Sequence, residues 1–396
     1  MRATKSIEEV LTRRVEKVLP TKEGLAALLM QKRTIRLYQG FDPTGSRLHL
    51  GHSIGLRKLM DFANLGHEVI FLFGTGTVLV GDPSLRDNAR KPITQEEIAK
   101  NIKDWKRQAA PLVDFKKVTI KENGEWLLPL TLKDIINIAS NISALQLFKR
   151  DMFTRRLQRG DTVWYHETMY PLLQGYDSVA MDVDLEIGGT DQEFNMLIGR
   201  DLQRKMNNKE KYILCVPMIL GTDGKQMSKS SGNCVWLDDS PEDMFGKIMS
   251  MPDSQTVPYL TLVTSIPLPR VSEIENLLKT KELHPMEAKR LCAWEVVKDF
   301  HGRNAADKAA EEFRGLFHEG KLPADIPTVA IRAKELAPVD LLCSAKLASS
   351  KSNARRLIEQ GGVKIDGLVL KDEKTPLRVR KGMLIQVGKR KYAKIA

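Results

Sequence analysis

The sequence of 396 residues is poor in cysteine and in long apolar runs. Its four cysteines, Cys215, Cys234, Cys292 and Cys343, stand far apart with no CxxC pair. That spacing suggests neither a zinc site nor a disulfide framework. No apolar run reaches the ~18 residues needed to span a membrane. The most apolar stretch, residues 69–80, is broken by Gly74, Thr75, Gly76 and Thr77. The opening MRATKSIEEV carries acids early and lacks the apolar core of a signal peptide, so a cytoplasmic protein is expected. Internal repeats and low-complexity segments are also lacking. Histidine is scarce, at seven residues, yet two of them fall within GFDPTGSRLHLGHS at residues 40–53.

Charge is not scarce, and it is unevenly spread. The net charge is +12, and residues 340–396 hold 14 Lys or Arg against 5 Asp or Glu, a net of +9. A basic terminal module implies a polyanionic partner, most simply nucleic acid.

Apolar spacing predicts helix over residues 6–32, a strand over 34–41, a helix over 51–64 stopped near Gly66, and a buried strand over 68–73. This strand–helix–strand succession calls for a parallel sheet. Further strands are expected at 183–187 and 212–216. A largely helical stretch, 125–160, reads as an insertion in the sheet domain. After residue 238 the segments SPEDMFGKIMS and 285–316 are helical. Pro323, Pro327 and Pro338 mark a connection. SKSNARRLIEQGG is a short helix closed by Gly361 and Gly362, followed by the strand-like runs VKIDG, LVLKD, MLIQVG and KYAKIA.

Two motifs carry chemistry. His49 and His52 flank Gly51 at the mouth of the expected helix. A helix N-terminus offers unpaired N–H groups and partial positive charge to phosphate, and the small Gly51 allows close approach. The second motif, GTDGKQMSKSSGN at 221–233, is a glycine-rich loop whose Lys225 and Lys229 could close over phosphates. It lacks P-loop spacing, and Gly74, Gly76 and Gly81 miss the dinucleotide-binding spacing. In addition, Tyr170, Gln174 and Asp177 recur at i, i+4 and i+7, which puts them on one helix face.

HLGH opening a helix after the first strand, with MSKS in a late loop, resembles the paired signatures of class I aminoacyl-tRNA synthetases. LYQGFDPTG, LVGDPS and HETMYPLLQGYDSVAMDVDLEIGGTDQ resemble the tyrosyl-tRNA synthetases in particular. The similarity spans nearly the whole chain. It is closest to the bacterial form that ends in a small RNA-binding domain, of which SKSNARRLIEQGGVKIDG is the core.

The resemblance implies an α/β fold in three parts. A Rossmann-like parallel-sheet catalytic domain spans 1–237, with its helical insertion near 125–160. An α-helical tRNA-binding domain (238–322) and a linker (323–339) precede a small α+β RNA-binding domain (340–396). It implies that Tyr38 and Asp177 contact the substrate phenol and that Asp82, Tyr170 and Gln174 hold its ammonium. Gln192 would orient the carboxylate. Asp42, Gly188 and Asp191 would line the ribose and amino-acid site. Thr44, His49, His52, Met227 and Lys229 would serve ATP, with Thr44, His49, His52 and Lys229 in catalytic roles. Lys351, Arg355, Arg356 and Lys364 would contact RNA. Substrates would be L-tyrosine, ATP with Mg²⁺, and tRNA(Tyr). A homodimer and no protein-bound structural metal are expected. One departure stands out: Gln226 occupies the position where the family loop usually has lysine. A tryptophan-specific synthetase shares these signatures, and a non-catalytic RNA-binding descendant is the reading that Gln226 favours.

Overall fold

Residues 68–73, EVIFLF, form a strand whose side chains are almost all buried. Such an unbroken apolar run suits a parallel strand covered on both faces. In the computed structural model this strand, β3, lies one in from the edge of a six-stranded sheet. The others are β1 (Lys17–Leu19), β2 (Arg36–Phe41), β4 (Val118–Glu122), β5 (Leu185–Gly189) and β6 (Tyr212–Val216). The spatial order is β1-β6-β5-β2-β3-β4. All neighbours run parallel except β1, which pairs antiparallel with β6. From β2 the chain winds outward through β3 to β4, then returns to the other side of β2 for β5 and β6. The switch point is therefore the gap between the carboxyl ends of β2 and β5, where open α/β sheets bind ligands.

The structure describes residues 6–31, 33–82, 93–148, 151–228, 231–318, 326–331, 333–388 and 391–396. Two compact units are present: Met1–Asp239 with Lys247–Arg303, and Ser240–Gly246 with Asn304–Ala396. In the first unit the helix Leu50–Asn64 follows β2, and the helix Tyr165–Ala180 precedes β5. The expected insertion contains the helices Gly124–Leu127, Leu132–Ala139, Ala144–Phe148 and Asp151–Gln158. Ile138, Ile142 and Leu147 from it share a core with Ile198 and Leu202.

The single helix expected over 6–32 is a correction. The structure has two short helices, Ile7–Val10 and Lys22–Met30, with β1 between them. Pairing with β6 decides that strand, and no local periodicity announces it. β4 was likewise absent from the sequence reading, and β5 lies two residues later than 183–187. The helical stretch 285–316 is two helices, Pro285–His301 and Arg303–His318, parted by Gly302 at φ +85°.

The second unit holds a five-stranded sheet. Its strands are β7 (Thr328–Val329), β9 (Val363–Ile365), β10 (Leu368–Val369), β12 (Leu384–Val387) and β13 (Lys391–Ile395), in the order β10-β9-β12-β13-β7. β8 (Glu335–Leu336) pairs with β11 (Leu377–Arg378). The helices Pro338–Ser344 and Lys351–Glu359 supply Leu341, Leu342, Ala354 and Ile358 to a core shared with Val363, Ile385 and Ile395. β7 and β8 lie within the stretch 323–339 expected to be a linker.

Candidate active site

A crevice of about 830 Å³ opens at the switch point. Its floor is built by β2, β5 and the helix Tyr165–Ala180. Tyr38 and Glu186 are register neighbours across β2 and β5. Tyr38 is fully buried, and its Oη lies 3.0 Å from Ser178 Oγ. Asp177, one residue earlier on the helix, is also buried; it accepts hydrogen bonds from Trp126 Nε1 at 2.9 Å and Asn123 Nδ2 at 3.1 Å. Burial pushes the Asp177 carboxyl well above the usual carboxylate range. The bonds from Asn123 and Trp126 oppose that shift, and the negative charge of Glu186 adds to it. Burial also raises the Tyr38 phenol well above its ordinary value, with Glu186 and Asp177 adding to the effect.

Above the floor, polar groups form two hydrogen-bonded sets, one centred on Asp42 and one running through Gln174, Asn195 and Gln192. Tyr170 Oη donates to Asp42 Oδ2 at 3.0 Å, and Thr77 Oγ1 donates to Asp42 Oδ1 at 2.8 Å. Gln174 Nε2 donates to Glu186 Oε1 at 3.2 Å. Asn195 Nδ2 bridges Gln174 Oε1 and Gln192 Oε1 at 2.9 and 3.0 Å. Gln192 Nε2 reaches Asp82 Oδ2 at 2.9 Å and Asp191 Oδ2 at 3.0 Å. This arrangement offers carboxylates to a cation and amide donors to an anion a few ångströms apart, which is what an amino acid zwitterion needs. Gly74 is required here: a Cβ would sit 2.0 Å from Asp42 Oδ1 and 2.4 Å from Thr77 Oγ1.

The mouth is formed by the helix Leu50–Asn64, with His49 at its N-cap. His52 Nδ1 accepts from the His49 N–H at 3.1 Å, and the two rings lie 3.9 Å apart. Two flanking segments hold this turn. Leu50 N–H donates to Val235 O, and Leu237 N–H to Leu48 O, both at 2.8 Å. The helix Gln95–Ala109 grips the preceding loop: Asn101 Nδ2 donates to Pro43 O, Trp105 Nε1 to Gly45 O and Gln108 Nε2 to Ser46 O. The Val235–Leu237 pairing holds the segment after the glycine-rich loop against the histidine turn. Gln226, Met227 and Ser228 line the same crevice. Asn233 braces the loop by accepting from Ser228 N–H and donating to Asp223 and to Gln226 O.

Tyr38, Asp42, Thr44, His49, His52, Asp82, Tyr170, Gln174, Asp177, Gly188, Asp191, Gln192 and Met227 thus all border one space. Lys229 lies outside the described residues. Lys225 is exposed and is not among the lining residues, whereas Gln226 is. Lys351, Arg355, Arg356 and Lys364 are exposed on the second unit. The sequence reading missed Asn123, Trp126, Ser178, Glu186, Asn195 and Lys211, which brace the site from behind. Alternation along β2 and β5 could have flagged Glu186, a charged residue in an otherwise apolar strand.

Residues 30–318 match the class I tRNA synthetases (W and Y), and the chain belongs to that family. Residues 339–384 match the S4 domain. Among its relatives is the tyrosine–tRNA ligase of Thermotoga maritima, 40% identical over 389 residues, covering 98% of this chain and 96% of that protein. Tyrosine–tRNA ligase 2 of Vibrio cholerae is 40% identical over 394 residues, covering 98% and 99%. Two solved structures share the fold. A C-terminally truncated mitochondrial tyrosyl-tRNA synthetase from Aspergillus nidulans has a TM-score of 0.65 at 22% identity, covering 79% of this chain and 94% of that one. Tyrosyl-tRNA synthetase from Archaeoglobus fulgidus, complexed with L-tyrosine, has a TM-score of 0.63 at 24% identity, covering 77% and 100%.

Proposed function

We propose that this chain is a tyrosine–tRNA ligase, which activates L-tyrosine with ATP to tyrosyl-adenylate and transfers it to the 3′ end of tRNA(Tyr). The observation that carries this reading is the buried pair Tyr38 and Asp177 at the floor of the switch-point crevice, beneath a helix mouth bearing His49 and His52. A site built to bond a hydroxyl rejects an analogue lacking it by ~10⁴–10⁵, because its own polar groups are left unpaired.

The tyrosine ammonium would sit among Asp82, Tyr170 and Gln174, and its carboxylate would be oriented by Gln192. That carboxylate attacks the α-phosphorus in line and releases pyrophosphate. Thr44, His49 and His52 would meet the phosphates, Asp42, Gly188 and Asp191 the ribose and amino-acid side, and Met227 the nucleotide. Lys229 would close on the pyrophosphate with its loop. No protein nucleophile is needed, because positioning and charge stabilisation suffice for this chemistry. Mg²⁺ would arrive on the nucleotide phosphates. The tRNA would be held by the helical segment and by the basic C-terminal module through Lys351, Arg355, Arg356 and Lys364. A homodimer in the cytoplasm completes the proposal.

The test is pyrophosphate exchange into ATP without tRNA, run in parallel with tyrosine, phenylalanine and tryptophan. Exchange with tyrosine alone is expected. Exchange with tryptophan instead would move the substrate, and none with any of the three would make Gln226 the mark of a lost activity.

A further inference from the structure

Behind the floor of the crevice lies a buried charge for which the two-step chemistry has no use. Lys211, just before β6, is fully buried. Its ammonium pairs with Glu186 Oε2 and donates to Ser178 Oγ at 2.8 Å. Ser178 Oγ lies 3.0 Å from Tyr38 Oη. Glu186 is the neighbour of Tyr38 in the β2–β5 register, and its other oxygen accepts from Gln174. A buried ion pair is weak as a stabilising device, since well-packed apolar residues often do as well or better. Its position against Tyr38 suggests a different use.

We propose that Lys211 is a positioning residue that sets the direction of the hydrogen-bond chain ending on the substrate's phenolic hydroxyl. This rests on the tyrosine reading above. An ammonium group only donates. Lys211 therefore engages both acceptors behind Tyr38, the Ser178 oxygen and the near oxygen of Glu186. Ser178 Oγ also reaches Glu186 Oε2, but only at 3.5 Å. With that oxygen taken by Lys211, the Ser178 hydrogen points at Tyr38 Oη, 3.0 Å away, and the Tyr38 hydrogen turns into the crevice. Asp177, held by Asn123 and Trp126, acts as an acceptor. The pocket then presents one donor and one acceptor to the para position of a bound ring. A hydroxyl satisfies both. A hydrogen satisfies neither, and an amine, rich in donors and weak as an acceptor, satisfies only Asp177 well. Without an ammonium behind it, Tyr38 could donate backward to Ser178, and the pocket would present two acceptors.

The experiment measures pyrophosphate exchange by the full chain with tyrosine, 4-aminophenylalanine and phenylalanine. Two uncharged double variants carry it, because Lys211→Met alone would strand the Glu186 carboxylate. Lys211→Met/Glu186→Met removes the ammonium that donates to Ser178 and leaves no donor at position 186. Lys211→Met/Glu186→Gln leaves an amide at position 186 that can donate to Ser178 in place of the ammonium. Near-ultraviolet circular dichroism verifies that both are folded. In the Met/Met variant the kcat/KM preference for tyrosine over 4-aminophenylalanine is expected to fall about tenfold, the value of one neutral hydrogen bond. The fall should appear in KM, and the Met/Gln variant should recover most of the preference. Loss of Gln174's partner in the Met/Met variant affects all three substrates alike and cancels in the ratio. An unchanged ratio in Met/Met, or equal losses in both variants, would overturn the proposal and leave the tyrosine reading standing. A wild-type protein inactive with tyrosine would overturn both.

Discussion

Asp177 faces two demands. Burial favours its neutral form, while a phenol hydroxyl donates best to its anion. Binding of tyrosine therefore releases a proton wherever the empty site holds one. Tyrosine affinity should rise as pH climbs from about 4, the ordinary carboxylate value, through the raised value of Asp177, and then level off. Phenylalanine, which offers Asp177 nothing, should show no such rise; isothermal titration across that range checks it, and parallel profiles would refute it. For stability the sign is opposite. In the same window the folded state keeps a proton that the unfolded chain has lost, so stability attributable to Asp177 falls as pH rises. Asp177→Asn should flatten that decline in thermal unfolding. His49, His52 and the Tyr170–Gln174–Asp177 face were all legible in the sequence, because helix spacing alone aligns them. Asn123 and Trp126 were not, because nothing local links residue 123 to residue 177.

The helix Thr256–Val263 ends in carbonyls that have no partner within it. Arg13 donates to Thr261 O at 2.9 Å and to Thr264 O at 2.8 Å, while Arg14 donates to Leu262 O at 2.7 Å and also to Thr264 O. Both arginines are buried, and cations at a helix C-terminus also meet the negative end of its dipole. Lys58 Nζ in turn donates to Val10 O and Arg13 O, which ties the Leu50–Asn64 helix to the same clamp. Arg14→Met should destabilise the first unit by about 1–3 kcal/mol, the cost of leaving Leu262 O unpaired, since Arg13 still serves Thr264 O. Chemical denaturation measures this, and a change below about 0.5 kcal/mol, typical of an ordinary surface site, would remove the clamp from the account. The sequence reading took residues 6–32 as one helix, and the reason it erred is physical. β1 exists because β6 offers it an edge, and Arg13 and Arg14 turn inward because another helix ends there.

At the scale of the whole molecule, the two units divide the proposed labour. The crevice lies in the first, and the exposed Lys351, Arg355, Arg356 and Lys364 lie in the second. Deleting residues 340–396 should leave pyrophosphate exchange within about twofold and weaken tRNA charging. The slope of tRNA affinity against salt should also shrink, since each lost phosphate contact removes counterion release. Equal tRNA affinity with and without the segment would exclude it from binding. The inserted helices display apolar side chains to solvent, Leu132 at 73% exposure, Ile136 at 59% and Leu145 at 74%. Such surface is typical of an interaction site, in keeping with the proposed homodimer. Leu132→Glu with Ile136→Glu should shift sedimentation toward the monomer, and an unaltered mass would place the interface elsewhere.

What the sequence determined by itself is what repeats locally: the buried strand 68–73, the helix behind His49, the shared face of Tyr170, Gln174 and Asp177, and the separate basic module. Short-range spacing and composition encode all of these, so they survive being read one window at a time. Only the tertiary structure decided that β5 returns beside β2. That return set Glu186 against Tyr38 and drew Lys211 and Ser178 in behind them, while Gln226, Met227 and Ser228 came to border the same crevice as the histidines. These contacts join residues far apart in the chain, and their stability comes from burial and pairing that no single window contains.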